Sequence, residues 1–261
     1  MNYGLNISAS GVMTSLYRQN VLSNNLANVG TPGFKPDLPY IKQREAVRRE
    51  DGLMNLPSNR LLERLGAGAL LGFNRTSSAQ GDLEVTGNPL DAAIRGAGYF
   101  VVEASARDGE KRIRLSRDGR FTLNEEGTLV TAASGLAVLD ESGRTITIDR
   151  SAGPVSIGGD GSISQGGRPL ARIQVSRVRG EPLLRKIGNN LYEPTSAQVQ
   201  AMEPASGVQV VGGSIERSAV DPVQAIMGIT DAGNAVASNA RMIQLQDDMI
   251  GRAINTFGRV A

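Results

Sequence analysis

Residues 221–257 read DPVQAIMGITDAGNAVASNARMIQLQDDMIGRAINTF, and this stretch decides the fold. Asp221 is a favourable N-cap and Pro222 suits the first helical position, so we predict that a helix begins here. From there, apolar residues recur at alternating steps of three and four, which is the period of a coiled coil. A helix from Pro222 to Phe257 would be about 54 Å long at 1.5 Å per residue. A helix this long with a narrow apolar stripe requires a partner.

The first thirty residues predict that partner, because they also carry apolar residues at helical spacing. The sequence Gly30-Thr31-Pro32-Gly33 ends the helix, since glycine accepts a left-handed cap and proline cannot continue the turn. We expect the two terminal helices to pair and one chain to leave part of their apolar stripes uncovered, with mobile ends in the monomer. The positions that we assign to pairing and assembly are Leu5, Val12, Leu16, Leu22, Leu26, Val29, Ile226, Ile229, Val236, Ala240, Ile243, Ile250, Ile254 and Phe257.

Between the helices the apolar pattern changes to period two, which is typical of short strands. Turn pairs such as Asp118-Gly119, Glu126-Gly127 and Asp160-Gly161 separate these strands at intervals that favour an antiparallel meander closing on itself. The predicted strands are residues 99–102, 113–115, 120–123, 128–131, 136–139, 145–148, 154–157 and 172–176. The predicted fold class is mixed α and β: an antiparallel all-β domain inserted between long N- and C-terminal amphipathic helices that pair as a coiled-coil-like helical domain.

This pattern divides the chain into an N-terminal helix (1–35), an extended arm (36–75), a β-domain (76–215) and a C-terminal helix (216–261). The arm combines a mixed-charge run from Arg44 to Asp51 with several leucines, which a solvated linker would be expected to lack. We therefore expect the arm to be disordered or loosely packed in a monomer and ordered against an adjacent subunit. The leucines are Leu61, Leu62, Leu65, Leu70 and Leu71.

Composition excludes several kinds of catalytic site. The 261 residues include no histidine and no cysteine, so a Ser-His-Asp triad, a Cys-His dyad, a thiolate zinc site and a disulfide cannot form. The formal net charge of +2 and the aromatic content of 4% give no reason to expect nucleic-acid binding. No run approaches the roughly 20 apolar residues of a membrane span, and the N-terminus lacks the features of a cleaved secretory signal. We expect no cofactor and no membrane insertion.

Three short motifs lack the features that a ligand site requires. Gly96-Ala97-Gly98 is followed by a strand rather than the helix that dinucleotide binding requires. The glycine-rich run 157–162 resembles one calcium-binding repeat but occurs once, and Asp247-Asp248 would diverge by about 100° on a helix. We assign no catalytic, metal or cofactor residues. Two alternative functions remain open: a hydrolase acting on peptidoglycan through Asp118 and Glu125-Glu126, and a secreted β-domain binding module.

Three segments resemble one known family. Residues 24–35 read NNLANVGTPGFK and closely resemble the N-terminal signature of bacterial flagellar basal-body rod proteins of the FlgF and FlgG type. Residues 81–100, with 116–122 and 127–131, resemble the β-domain core of that family, and residues 213–224 resemble the entry to its last helix. Ala219 and residues 233–237 depart from the family pattern. The motif residues are Asn24, Asn25, Leu26, Ala27, Asn28, Thr31, Gly33, Phe34 and Lys35.

The resemblance implies a structural role without enzymatic activity. Members of this family assemble head to tail into a helical tube, an axial filament with paired terminal helices inside and the β-domain outside, which transmits torque for motility. It implies as partners further copies of the same chain, other flagellar rod and hook subunits, and the flagellar type III export apparatus. The implied location is the periplasm-spanning rod of the basal body, reached without a cleaved signal peptide.

Overall fold

The structure, a computed structural model, describes residues 3–50, 52, 55, 65–105, 111–178, 184–205 and 207–257. Its contacts divide the chain into two compact units. The helical unit comprises Met1–Ala27, Asp37–Arg75 and Asp221–Ala261, and the β unit comprises Asn28–Pro36 and Thr76–Val220. The described helices are α1 (Tyr3–Ala27), α2 (Val47–Glu50), α3 (Ser196–Gln200) and α4 (Pro222–Phe257).

The C-terminal helix has the extent that the sequence predicts, whereas the N-terminal helix ends before Gly30, which does not adopt the predicted left-handed conformation. The 36-residue helix α4 begins at Pro222 and ends at Phe257, as predicted. Asp221 caps it as expected, because its Oδ1 accepts hydrogen bonds from the backbone N–H of Val223 at 2.9 Å and of Gln224 at 3.1 Å. Helix α1 ends at Ala27, three residues before Gly30.

Helices α1 and α4 pack against each other within one chain and run antiparallel. A Cβ added to Gly4 would lie 2.7 Å from Nε2 of Gln246, and one added to Gly11 would lie 2.8 Å from Oδ1 of Asn239. A step of seven residues toward the C-terminus of α1 therefore corresponds to a step of seven residues toward the N-terminus of α4, as antiparallel helices require. The predicted pairing is present, but glycine and amide side chains form these close approaches. The predicted coiled-coil packing of apolar side chains is not confirmed.

The described part of the arm is folded onto α1, contrary to our expectation for a monomer. Tyr17 donates a hydrogen bond to the carbonyl oxygen of Gly72 at 3.1 Å and also bonds Asn74. The N–H of Ala69 donates to Oγ of Ser10 at 3.3 Å, so polar contacts hold the arm along the helix. Leu61 and Leu62 lie outside the described residues. The arm strands are β1 (Asp37–Leu38), which pairs with β4 (Arg75–Thr76), and β2 (Ile41–Gln43), which pairs with β3 (Ala69–Leu71).

The β unit is built from short strands whose described pairings are antiparallel. They are β5 (Leu83–Val85), β6 (Ala92–Arg95), β7 (Tyr99–Ser105), β8 (Lys111–Ser116), β9 (Phe121–Leu123), β10 (Leu129–Thr131), β11 (Ala137–Val138), β12 (Val155–Ile157), β13 (Ser162–Gln165), β14 (Arg168–Arg172), β15 (Val175–Arg177), β16 (Arg185–Gly188), β17 (Leu191–Glu193), β18 (Glu203–Pro204), β19 (Gln209–Gly212) and β20 (Ser214–Glu216).

The main sheet departs from a simple meander. Its order is β16-β17-β8-β7-β11-β10-β9, and β15 joins β7 as well as β18. The remaining strands form β12-β13-β14 and the pairs β6-β19 and β5-β20. The predicted strand 145–148 contributes only bridges at Thr145 and Thr147, and the prediction for 172–176 spans the end of β14 and most of β15. Because β8 pairs with β17 and β7 with β15, contacts distant in sequence organise the sheet.

Strand β7 lies between two hydrophobic clusters, because its side chains alternate between the two faces. Phe100 meets Phe121 edge to face at 5.1 Å on one face, among buried residues that include Ile148 and Ile163. Tyr99 meets Tyr192 at 5.3 Å on the other face. These aromatic pairs anchor a core that otherwise consists of aliphatic side chains.

Candidate functional site

The described contacts hold the motif segment 31–35 firmly within the β unit. Gly33 has φ +68°, and a Cβ there would lie 2.4 Å from the carbonyl oxygen of Arg117. Both the backbone conformation and the lack of space therefore require glycine. The N–H of Gly33 donates to the carbonyl oxygen of Glu216 at 2.7 Å, and that of Ala219 donates to the carbonyl oxygen of Phe34 at 3.1 Å.

The next motif residue, Lys35, belongs to a buried ionic cluster with Arg117 and Glu216. Nζ of Lys35 lies 2.7 Å from Oε1 of Glu216, and Nη1 of Arg117 lies 2.9 Å from Oε2. The side chains of Lys35 and Glu216 are each 1% exposed, and that of Arg117 is 4% exposed. One buried carboxylate therefore faces two buried cations.

Neutral oxygen atoms and a tyrosine ring solvate the cations of this cluster. Lys35 also donates to the carbonyl oxygen of Ala79 at 2.7 Å, and Nη2 of Arg117 donates to that of Gly96 at 2.6 Å. The guanidinium lies 5.4 Å from the centre of the Tyr99 ring. Within the described part of the chain, Nε of Arg117 has no hydrogen-bond partner. Breaking such a buried pair by removing one member typically costs about 3–5 kcal/mol, since a buried charge is left uncompensated.

The sequence predicted only one member of this cluster. Arg117 and Glu216 lie within the stretches 116–122 and 213–224 that carry the family resemblance, but they were not singled out. Their charge signs were visible, yet their separation of 99 residues gave no reason to pair them. No local signal indicated a buried Glu216, because Gly212, Gly213 and Ser214 precede it and the charged Arg217 follows it directly.

A hairpin of the β unit covers the motif from the other end. Asn189 and Asn190, with φ 49° and 58°, form the turn between β16 and β17. Nδ2 of Asn190 donates to the carbonyl oxygen of Pro32 at 2.7 Å, and Nζ of Lys186 lies 4.3 Å above the Phe34 ring. Asparagine suits this turn because it tolerates the left-handed conformation, and here its side chain also binds the motif.

The structure places the predicted assembly positions in two environments. The first group is partly buried within the helical unit: Leu5, Val12, Leu22, Leu26, Ile229, Val236, Ala240 and Ile243. The second group is exposed: Leu16, Val29, Ile226, Ile250 and Ile254. Val29 lies beyond the end of α1, and the side chain of Phe257 lies outside the described residues. Buried positions of these helices that were not predicted include Val21, Ala225 and Ala232, and the motif residue Asn25 is buried as well.

A further exposed apolar stripe on α4 was missed by the sequence analysis. Met242, Leu245 and Met249 follow one another at steps of three and four residues, so they share a helix face. Their exposed fractions are 47%, 56% and 62%. The arm adds Phe73, which is 94% exposed. Exposed apolar side chains that share one helix face, as Met242, Leu245 and Met249 do, mark interaction surfaces.

The carboxylates considered for hydrolysis lie in a loop and a turn rather than facing each other across a cleft. Asp118 is 1% exposed, and its two oxygens accept hydrogen bonds from Nε and Nη2 of Arg120 at 3.0 and 2.7 Å. The hydrogen bonds that Arg120 donates to this carboxylate raise the pKa of its guanidinium group. Glu125 and Glu126 are exposed in the turn that ends at Gly127. Asp118 is therefore engaged in fixing its own loop.

The other rejected motifs are also accounted for by local contacts. Asp160 accepts hydrogen bonds from the side chains of Ser162 and Arg172, which hold its pKa below the ordinary value. The carbonyl oxygen of Gly96 accepts from Arg117. Among the described residues, acidic side chains do not gather into a group of three that could hold a metal ion. Across those same residues, neither long helix has a stretch apolar enough for a bilayer span.

Three regions of the chain match known protein families. Residues 5–35 match the family described as flagella basal body rod protein. Residues 93–165 match the flagellar hook protein FlgE/F/G D1 domain, and residues 205–256 match the flagellar basal body rod FlgEFG protein C-terminal family. The first and last matches include Lys35 and Glu216, and the middle one includes Arg117.

Whole-length relatives give the same result. The chain is 34% identical over 262 residues to flagellar basal-body rod protein FlgF of Caulobacter vibrioides, with 100% of both chains covered. It is 32% identical over 260 residues to flagellar basal-body rod protein FlgG of Buchnera aphidicola subsp. Acyrthosiphon pisum, covering 94% of this chain and 95% of the relative. It is 28% identical to the FlgF protein of Rhizobium meliloti over 258 residues, with 99% of each covered.

Proposed function

The chain belongs to the family of flagellar basal-body rod proteins, and on that premise we propose that it is a self-assembling structural subunit of the bacterial flagellar rod. In this proposal its copies assemble through the terminal helices into a helical tube that transmits torque. Other rod and hook subunits adjoin it, and the flagellar type III apparatus exports it. Its place is the part of the rod that spans the periplasm.

The observation that carries this proposal is the apolar surface left on α4. Ile226 and Ile254 are 53% and 66% exposed although they belong to the stripe predicted for pairing. Covering such side chains contributes roughly 25 cal/mol for each Å² of apolar surface removed from water. A contact between two different faces of successive copies would repeat without limit and produce a helical filament.

The arm supplies a second surface in the same proposal. Leu70 and Leu71 are about half exposed, and Phe73 is almost fully exposed, while their backbone is held on α1. We assign this exposed edge to contact with an axial neighbour. An arm already folded in the subunit loses less conformational entropy when it docks than a disordered one would.

Two alternative functions find less support. A peptidoglycan hydrolase requires two carboxylates placed across a cleft, and Asp118 is instead buried against Arg120. A secreted binding module would use the β unit alone. The exposed apolar side chains of α4, among them Ile226 and Ile254, would then have no role. The matched families consist of structural flagellar components, which favours the rod subunit.

The decisive experiment places a charge on the exposed helix surface. We expect Ile226→Asp combined with Ile254→Asp to prevent assembly, because burying a carboxylate in an apolar contact carries a large desolvation cost. Asn234→Asp combined with Gln244→Asp adds the same two charges at exposed polar positions of α4 and is the matched control. Sedimentation over a concentration series and electron microscopy of basal bodies from cells that carry only the variant would measure the outcome.

The two results lead to opposite conclusions. A wild-type protein that associates with concentration, a double variant that does not, and a control that behaves as wild type support the proposal. Basal bodies with normal rods in cells carrying the double variant would overturn the assignment of this surface. A wild-type protein absent from basal bodies would overturn the rod function itself.

A further inference from the structure

We propose that Glu216 is a positioning residue whose buried carboxylate orders the two connecting segments of the β unit, residues 28–36 and 217–220. In the sequence these segments lead to α1 and α4, respectively. The role in assembly rests on the function proposed above, whereas the ordering of the segments can be tested in the monomer.

The contacts of Glu216 reach three separate stretches of the chain. Its Oε1 accepts from Nζ of Lys35 at 2.7 Å and from the backbone N–H of Gly81 at 2.9 Å. Its Oε2 accepts from Nη1 of Arg117 at 2.9 Å, and its backbone carbonyl oxygen accepts from Gly33 at 2.7 Å. One residue therefore joins the motif segment, the start of the β5 segment and the loop after β8.

The backbone at Gly81 passes close to Arg217, which brings the contacts of Glu216 together. A Cβ added to Gly81 would lie 2.0 Å from the carbonyl oxygen of Arg217, so only glycine permits the chain to pass there. The N–H of Arg217 donates to the carbonyl oxygen of Asp82 at 2.8 Å, and β20 pairs with β5 in register at Glu216 and Leu83. The close approach places an N–H, rather than a side chain, against the carboxylate.

The charges of the cluster make Glu216 its central member. Removal of the carboxylate leaves two cations, Lys35 and Arg117, buried together without an anion. Removal of the Lys35 charge instead leaves Arg117 and Glu216 as a one-to-one pair. The same distances therefore predict that loss of Glu216 is more damaging than loss of Lys35, and that the two losses are not additive.

This arrangement would give assembly a defined starting point. The segments 31–35 and 217–220 lie outside the regular strands and are held by isolated backbone hydrogen bonds, so the buried side-chain contacts of Glu216 add to their order. If the segments were free to move, each docking event between subunits would have to restrict them, which weakens association. A buried carboxylate that has already fixed both segments removes that cost.

The test compares Glu216→Gln with Glu84→Gln in the full-length monomer. Glu84 lies in the adjacent strand β5, is exposed, and approaches Arg217 only at 3.7 Å, so it is a matched control. Hydrogen exchange followed by mass spectrometry would measure peptides that contain Gly33, Gly81 and Ala219 against peptides from β7 and β8. We expect Glu216→Gln to speed exchange of the first set roughly 100-fold relative to the second, as befits the loss of a buried charge partner.

Lys35→Met and the double variant complete the test. We expect Lys35→Met to speed exchange less than Glu216→Gln, and the double variant to exchange no faster than Glu216→Gln alone. Equal acceleration of the connecting segments and the central sheet would overturn the proposal, because it would show a general loss of stability. Additive effects of the two substitutions would also overturn it.

The assembly role is measured separately. Glu216→Gln should fail to associate at concentrations at which the wild type and Glu84→Gln associate. Normal association of Glu216→Gln despite rapid exchange would overturn the role of Glu216 in assembly but not its role in ordering the two connecting segments. A wild-type protein that does not associate at all would instead count against the rod function proposed above.

Discussion

The side-chain amide of Asn25 forms two hydrogen bonds with the backbone of Asp37. Nδ2 of Asn25 donates to the carbonyl oxygen of Asp37 at 2.8 Å, and the N–H of Asp37 donates to Oδ1 of Asn25 at 2.9 Å. Asn25 is 4% exposed, so its amide acts as a strand partner for the first residue of β1. The second asparagine of the NNLAN sequence thus attaches the arm to α1.

Replacing Asn25 by aspartate should loosen this attachment. The carboxylate lacks the donor that binds the Asp37 carbonyl oxygen and faces it with a second acceptor, which should cost about 1–3 kcal/mol of unfolding free energy. Asn20→Asp introduces the same charge at an exposed position of α1 and is the control. Thermal unfolding and exchange of residues 37–43 would measure the effect. Equal behaviour of the two variants would show that the amide pair contributes nothing.

The terminal helices illustrate how far the sequence determines the fold. The Asp221-Pro222 start and the three-four spacing predicted α4 over its full observed length, because capping and periodicity are local properties. The sequence did not predict which face of α4 contacts α1. Close contacts at Gly4 and Gly11 involve amide side chains, and a search for apolar residues overlooks a seam made from glycine.

Gly33→Ala should be much more damaging than Gly135→Ala. The two glycines have nearly the same φ, +68° and +67°, but an added Cβ at Gly135 meets nothing within 4 Å. Gly135→Ala should therefore lose only the left-handed preference, about 1–2 kcal/mol. Gly33→Ala adds an overlap with the backbone of Arg117 and should lose at least twice as much, measured by denaturant unfolding of the β unit. Similar losses in both variants would mean that the backbone of Arg117 moves away readily.

In the β unit the sequence predicted the positions of several strands but not how distant strands pair. Alternation and turn glycines located strands β7 to β12 because each is a local signal. The pairing of β8 with β17 and of β7 with β15 depends on packing between distant segments, which periodicity does not encode. The same limit applies to the ionic cluster, whose members Lys35 and Glu216 are 181 residues apart.

The lowered pKa of Asp140 predicts that the free energy of unfolding depends on pH in the acidic range. Burial alone would raise the pKa of its carboxyl group, but hydrogen bonds from the backbone N–H groups of Arg144 and Ser142 and from the Arg144 side chain outweigh burial and lower it from 3.8. Because the folded pKa is lower than the unfolded one, the carboxylate stabilises the fold above about pH 3.8, and this contribution is lost as the pH falls through the folded pKa.

Asp140→Asn should therefore lower the unfolding free energy by about 1 kcal/mol at pH 7, since an amide is a weaker acceptor than a carboxylate. The difference from wild type should shrink below pH 3.8, where the wild-type carboxyl group also loses its charge. Glu125→Gln, at an exposed turn position, controls for the change in net charge. Denaturant unfolding from pH 7 to pH 3 would measure both. A difference that stays constant over this range would contradict the assignment.

Substitutions at residues that attach the arm to α1 should affect monomer stability, whereas substitutions at its exposed residues should affect assembly. Tyr17→Phe removes the hydroxyl that bonds the carbonyl oxygen of Gly72 and the side chain of Asn74, so it should lower monomer stability by about 1–2 kcal/mol. Phe73→Ser removes an almost fully exposed ring and should change monomer stability by less than about 0.5 kcal/mol. If the exposed ring contacts an axial neighbour, Phe73→Ser should nevertheless weaken association in sedimentation and shorten the rods in basal bodies. An exposed ring that stabilises the monomer, or whose loss leaves association and rod length unchanged, would remove the arm edge from the assembly surface.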